Sequence, residues 1–297
     1  MLRRLRLCRL ALLSAALASN VCAHAALSVK DDAQRVVSLN KPAQRIVSLA
    51  PHITELLYAA GAANKLIAVS DYSDYPAAAK KLPSVGNIFA LDLERILALK
   101  PDLVIIWGTG SAKNLANQLR KQQITVFESE PRDYEMIATS LERFALLAGT
   151  EASGKQAASQ FRTRLETLKK TYALPASSRP VSVFYQVWNK PVITLNDDTM
   201  VSAAIRLCGG KNIFGSLKEI SPTVSTEAVL AANPDALITG GDNTESLNLW
   251  RQYPALKAVK SNRLYAVNAD WLNRAGPRML DGTEALCKVI QATRSSS

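Results

Sequence analysis

Two of the 297 residues are histidines, His24 and His52. His24 falls in an N-terminal leader, so acid–base or nucleophilic chemistry in the remaining chain has to be built around His52. No Gly-x-Ser-x-Gly elbow accompanies it, which leaves an exported hydrolase as a minor reading. A histidine-rich zinc or manganese centre fails on the same count. Gly108-Thr109-Gly110-Ser111 follows an apolar run and precedes a helical one, yet it lacks the third glycine and the downstream acid of a nucleotide fingerprint. What the chain does offer is a matched pair of acids. The stretch from Leu93 to Ile106 returns as Thr226 to Thr239, with Glu94 over Glu227, Pro101-Asp102 over Pro234-Asp235 and Ile105 over Ile238. Asp92 and Ser225 stand two residues ahead of the glutamates as helix N-caps. An acid in a first helical turn already suits the helix dipole. The repetition suggests more: two similar lobes that use their acids together to grip a two-fold partner.

The elements that must position these residues read as alternating strands and helices. Each copy of the repeat is a short helix, a Pro-Asp turn and a buried strand. Strands are expected over 45–50, 66–69, 103–106 and 124–127, with helices over 51–61, 112–121 and 134–148. After residue 175, strands over 181–186, 236–239 and 264–267 alternate with helices over 200–207, 227–232, 246–251 and 277–292. Such alternation specifies mostly parallel sheets covered on both faces, an α/β fold. In 151–174, Phe161, Leu165, Leu168 and Tyr172 recur at spacings of four, three and four, one face of a helix on the order of 30 Å long. A helical connector is stiffer than a Gly/Ser linker and discourages large hinge motion. The expected division is an N-terminal lobe over 26–148, a connecting helix over 149–175 and a C-terminal lobe over 176–297.

In open α/β sheets a ligand sits beyond the carboxyl ends of the strands. Trp107, Trp188 and Trp271 each follow such an end, and Tyr72, Phe89 and Tyr185 are placed similarly. One tryptophan means little, since it belongs to the core by default. Three at equivalent loop positions point to an aromatic-lined cleft for a large, flat or apolar ligand. Trp250 lies inside a helical pattern and is assigned to packing. Asp270 and Arg274 are the polar groups beside this cleft, although their spacing of four also lets them pair with each other. His52, at a strand-to-helix loop, faces the same crevice as either a ligand contact or an ordinary loop histidine.

Composition is that of a globular chain, 48% hydrophobic and 21% charged. Arg3, Arg4, Arg6 and Arg9, the apolar run Leu10 to Ala18 and Ala23-His24-Ala25 make residues 1–25 a signal peptide cleaved after Ala25. The apolar run is too short to span a bilayer. Loss of the leader lowers the formal charge from +11 to +7. The remaining basic residues are dispersed, so no nucleic-acid patch is expected. Cys208 and Cys287 then remain, and two cysteines in an exported chain most simply form one disulfide. No second pair or histidine cluster accompanies them to make a metal site.

Arg45-Ile46-Val47-Ser48-Leu49-Ala50-Pro51 with Thr54-Glu55, then Tyr72-Ser73-Asp74-Tyr75-Pro76, and Leu93-Glu94-Arg95-Ile96 with Lys100-Pro101-Asp102 carry a resemblance. In the second half Leu207-Cys208-Gly209-Gly210, Val224-Ser225, Glu227, Asp270-Trp271, Arg274-Ala275 and Pro277-Arg278 continue it. Over roughly Ala43 to Ile290 the chain resembles the cobalamin (vitamin B12)-binding group of periplasmic solute-binding proteins that serve ABC importers. The resemblance implies two Rossmann-like lobes with mostly parallel sheets joined by a single long helix. It implies a monomer in the periplasm, a corrinoid held in the cleft as ligand, and no cofactor, metal or catalysis. By position, Tyr72, Trp107, Asp270 and Arg274 would touch the corrinoid, Glu94 and Glu227 would bind arginines of the membrane permease, and the disulfide would join Cys208 and Cys287. Tryptophans expected ahead of the two glutamates are Ile88 and Ser221 here, with Trp188 and Tyr185 as the aromatics that would replace them. Haem- and ferric-siderophore-binding relatives share the fold motifs. Haem would want an axial ligand such as His52 or Tyr72, and a carboxylate siderophore would want several converging arginines.

Overall fold

The computed structural model describes residues 26–108, 112–175 and 177–295. The expected signal peptide lies outside the described residues. In chain order, β1 (Leu27–Lys30) and β2 (Val36–Leu39) form an antiparallel hairpin, followed by β3 (Ile46–Ser48), α1 (Pro51–Ala59) and β4 (Leu66–Val69). A short hairpin of β5 (Gly86–Asn87) and β6 (Ala90–Leu91) leads into α2 (Leu93–Ala98), β7 (Leu103–Trp107), α3 (Ala112–Lys121), β8 (Thr125–Ser129) and α4 (Tyr134–Ala148). The helix α5 (Glu151–Tyr172) crosses to β9 (Val181–Gln186), the hairpin β10 (Trp188–Asn189) and β11 (Val192–Ile193), α6 (Met200–Leu207) and β12 (Gly210–Asn212). The chain closes with α7 (Thr226–Ala232), β13 (Ala236–Gly240), α8 (Asn248–Arg251), α9 (Lys257–Lys260), β14 (Leu264–Val267), α10 (Ala269–Leu272) and α11 (Met279–Ser295).

Two four-stranded parallel sheets result, in the orders β4-β3-β7-β8 and β12-β9-β13-β14. The repeated Pro-Asp turn explains why they match. Asp102 accepts from the backbone N–H of Gln44 (2.7 Å) and Arg45 (2.9 Å), which fixes the entry to β3 beside β7. Asp235 does the same for β9 beside β13, accepting from Ser182 N–H (3.0 Å) and Ser182 Oγ (2.7 Å), with Arg179 on the same carboxylate. Both turns pass through the left-handed region, at Lys100 (φ 47°) and Asn233 (φ 44°).

Alternate residues of each strand face opposite sides of its sheet, and both sides are buried, as parallel sheets require. Val104 and Ile106 join an outer cluster of the first lobe, and Phe184, Leu237 and Trp250 one of the second. Their inward neighbours belong to one continuous core. It runs from Leu103, Ile105 and Phe127 through Phe161, Leu165 and Leu168 of α5 to Val183, Ile238 and Leu286. The connecting helix is therefore a shared wall of both lobes. Gly154 lets it approach α4, since a Cβ there would meet the Ala145 Cβ at 2.2 Å. Cys208 and Cys287 form the disulfide that staples the end of α6 to α11.

Some local expectations shift. The helix expected from 246 divides into a 3-10 turn, Glu245–Leu247, and α8. The last helix starts at Met279, two residues later than expected, which leaves Arg278 at its entrance. Beyond the helix expected over 200–207, Gly210–Asn212 form an edge strand, β12, against β9, which was not expected.

Candidate functional site

The carboxyl ends of the strands open on a trough between the lobes. Its larger part, about 370 Å³, has His52, Trp107 and Pro131 on the first-lobe side and Val187, Met200 and Leu272 on the second. Its smaller part, about 240 Å³, is lined by Tyr72, Ile88 and Phe89. Trp107, the last residue of β7 and 39% exposed, lines both. Ser221 and Ile88, the positions where tryptophans were expected, also line it, so part of the aromatic wall is replaced by small or aliphatic side chains.

Tyr72 and Phe89 are presented by an acid beneath them. Asp71 accepts from Ser84 Oγ and from Asn87 Nδ2 (3.3 Å), and its N–H donates to the Gly86 carbonyl (2.8 Å). This ties the loop after β4 to the β5–β6 hairpin. Tyr72 adopts φ 63°, an uncommon conformation for a large side chain of the kind that clusters at functional sites. Phe89 is 94% exposed at the hairpin.

His52 lies in the first turn of α1 and is 6% exposed, its ring 5.9 Å from Trp107 in an edge-on arrangement. Burial pushes its pKa down to about 4, against the opposing effect of a hydrogen bond to the Ser129 backbone, with the nearby Arg274 charge lowering it further. The ring is neutral at ordinary pH, and its buried Nε2 has no hydrogen-bond partner.

Arg274 is committed to carboxylates from both lobes. Its Nη1 donates to Asp74 Oδ1 (2.6 Å) and Glu55 Oε1 (3.3 Å), and its Nη2 is 2.8 Å from Asp270 Oδ1. Arg278 grips Glu55 with Nε (3.0 Å) and Nη2 (2.6 Å), and its guanidinium lies 4.0 Å from the centre of the Tyr75 ring. The Glu55 side chain is 1% exposed. Glu55, Asp74 and Arg278 are the residues that sequence reasoning did not place here. One signal was available: Glu55 is the lone charge in an apolar helical run, and a buried carboxylate requires a cation.

Other expected site residues fall in three settings. Trp188, on β10, is exposed with its indole N–H on the Lys190 carbonyl (2.9 Å) and lines neither cavity. Tyr185 corrects the expectation. It is 1% exposed in the shared core and reaches the trough only through its hydroxyl on Asn273 Oδ1 (3.2 Å). The cause is strand alternation: Tyr185 is still inside β9 and points inward with Val183. Trp271, whose Cβ and backbone lie against Gly282 of α11, lines neither cavity, so the trough is walled by fewer tryptophans than expected. Trp250 is sealed in the core, donating to Gln186 Oε1 (2.7 Å), as its helical pattern indicated.

Glu94 and Glu227 occupy equivalent first turns. Asp92 caps α2 by accepting from Arg95 N–H (2.9 Å), and Ser225 caps α7 by accepting from Ala228 N–H (3.2 Å). Both glutamates are exposed. The backbone N–H of Glu227 and the Ser225 hydroxyl hold the Glu227 carboxyl below its ordinary pKa. Among the described residues, no three His, Cys, Asp or Glu side chains gather as a metal site, and no helix is long and apolar enough to cross a membrane.

Two α/β lobes with parallel sheets, bridged by one helix around a cleft, define a class. The periplasmic binding protein family model matches residues 46–270, and the chain belongs to that family. Within it, the chain is 41% identical over 243 residues to the vitamin B12-binding protein of Vibrio cholerae, covering 82% of this chain and 87% of that protein. The vitamin B12-binding protein of Yersinia pestis is 38% identical over 242 residues, 80% and 83% of the two chains. The crystal structure of the periplasmic vitamin B12 binding protein BtuF of Vibrio cholerae matches with a TM-score of 0.79 and 41% identity, covering 85% of this chain and 98% of that one. The periplasmic heme-binding protein BhuT, in complex with two hemes, shares the fold with a TM-score of 0.76 at 22% identity, covering 85% and 99%.

Proposed function

We propose that this chain captures cobalamin or a related corrinoid in the periplasm and delivers it to an ABC importer without transforming it. The observation that carries this reading is the match to vitamin B12-binding relatives across both lobes, joined to a trough at the sheets' carboxyl ends. Trp107, Tyr72 and Phe89 would cover the apolar faces of the ring, with Trp188 at the rim. His52, Asp270 and Arg274 would meet its polar periphery. Glu94 and Glu227, one per lobe at equivalent helix starts, would dock to basic groups of the membrane permease. The working form would be a monomer with lobes over 26–148 and 176–297, the 149–175 connector between them, exported by a leader cleaved after Ala25.

Titration with cyanocobalamin, haem and a ferric siderophore, followed by tryptophan fluorescence, tests the assignment. Saturable quenching by cyanocobalamin at the lowest concentration is expected, with Trp107 as reporter. Tighter binding of haem would instead favour the haem reading, which rests on the unpartnered Nε2 of His52. Turnover of generic esters or amides that disappears in His52→Ala would replace both with a hydrolase.

A further inference from the structure

The cations in and beside the trough are paired with carboxylates. Among the described residues, Arg132 is the one cation lining the larger cavity and the smaller has none. Arg132 is engaged by Glu130 at 3.0 Å. Arg274, between the lining residues Asn273 and Ala275, is enclosed by Glu55, Asp74 and Asp270. With Arg278, the group holds three carboxylates against two guanidiniums, a formal excess of one negative charge. Asp74 and Asp270 have half-exposed side chains, whereas Arg274 is largely covered. Burial alone would raise the Asp74 carboxyl, but the hydrogen bond and charge of Arg274 outweigh it and hold its pKa below the ordinary value.

We infer that Asp74 and Asp270 are specificity-determining residues that neutralise Arg274 and so select ligands bearing carboxamides over ligands bearing carboxylates. This rests on the reading of the trough as a corrinoid site. A carboxylate reaching for Arg274 must displace one of these acids and remain beside the other, a like-charge contact in a partly desolvated place. A carboxamide brings no charge, and its N–H groups can donate to the half-exposed carboxylates of Asp74 and Asp270. The inter-lobe cluster thus serves as both a tether between lobes and a filter.

The test compares two corrinoids of one ring size, dicyanocobinamide with amide side chains and dicyanocobyrinic acid with carboxylates. Affinities are measured for wild type, D74N and D74N/D270N. Wild type is expected to prefer the amide corrinoid. D74N should move the affinity ratio toward the carboxylate form by roughly tenfold, and the double variant further, in line with removal of one and two close charges. A purely structural role would weaken both ligands alike and leave the ratio unmoved, which overturns the inference. Wild type needs no folding control: raising ionic strength should narrow its preference by screening, and a salt-independent ratio also overturns the inference. If wild type binds neither corrinoid, the functional reading falls and the inference with it.

Discussion

The first lobe enters its sheet through Asp102 and the second through Asp235, and both acids hold the start of the neighbouring strand by its backbone. Their surroundings differ. Asp235 is buried and also binds Ser182 Oγ and Arg179, whereas Asp102 is half-buried and faces main chain alone. The turn before Asp102 places a lysine in the left-handed region, where the second lobe uses an asparagine, better suited to it. In the first lobe, the Arg45 guanidinium binds the Leu99 and Lys100 carbonyls and helps hold that turn. The cleft walls diverge further. The first lobe supplies Trp107, Tyr72 and Phe89, while the second supplies Val187, Met200 and Leu272. Backbone geometry is repeated because each sheet needs the same turn, whereas the side chains that line the trough are not repeated between the lobes.

The largest effect expected tests the docking role proposed for the glutamate that each lobe carries. Reversing both Glu94 and Glu227 to lysine should abolish delivery to the importer while leaving ligand binding intact, and unchanged uptake would break the equivalence of the two helix starts. Next comes a group present in the first lobe alone. His52 is neutral when folded, with a pKa of about 4 against 6.5 unfolded. Between those values the unfolded state binds more protons, so stability falls as pH drops through that window and is fully present above it. Relative to His52→Gln, wild type should lose about 3 kcal/mol between pH 6.5 and 4 in urea titrations. A parallel pH profile for the two proteins would refute this.

The paired aspartates sharpen the comparison. Asp235→Ala should cost about 2 kcal/mol, since buried donors lose their acceptor, and Asp102→Ala about 1 kcal/mol. Equal losses would show that burial does not separate the lobes. At the cleft walls, Trp107→Ala should weaken cyanocobalamin binding roughly tenfold or more, while Tyr185→Phe should change it little. The smallest effect is a gain. Lys100→Gly should stabilise by about 0.5–1 kcal/mol by relieving the left-handed turn, and Asn233→Gly by less; thermal denaturation of the pair measures the difference.

Much of this was legible in residue order because it depends on near neighbours. Strand and helix alternation, the N-caps at Asp92 and Ser225 and the face of α5 are set by local steric and hydrogen-bonding rules, and they recur in the fold. Cys208 and Cys287 could be paired because, with the expected leader set aside, no other cysteine remains. What the tertiary structure alone decided concerns groups distant in sequence. Arg274 meets Glu55 and Asp74 some 200 residues away. Tyr185 turns inward while Trp107 ends its strand in the trough, and Gly210–Asn212 becomes a strand only because β9 lies beside it. Burial, charge pairing and edge pairing are properties of surfaces brought together, and a one-dimensional pattern does not contain which surfaces those are.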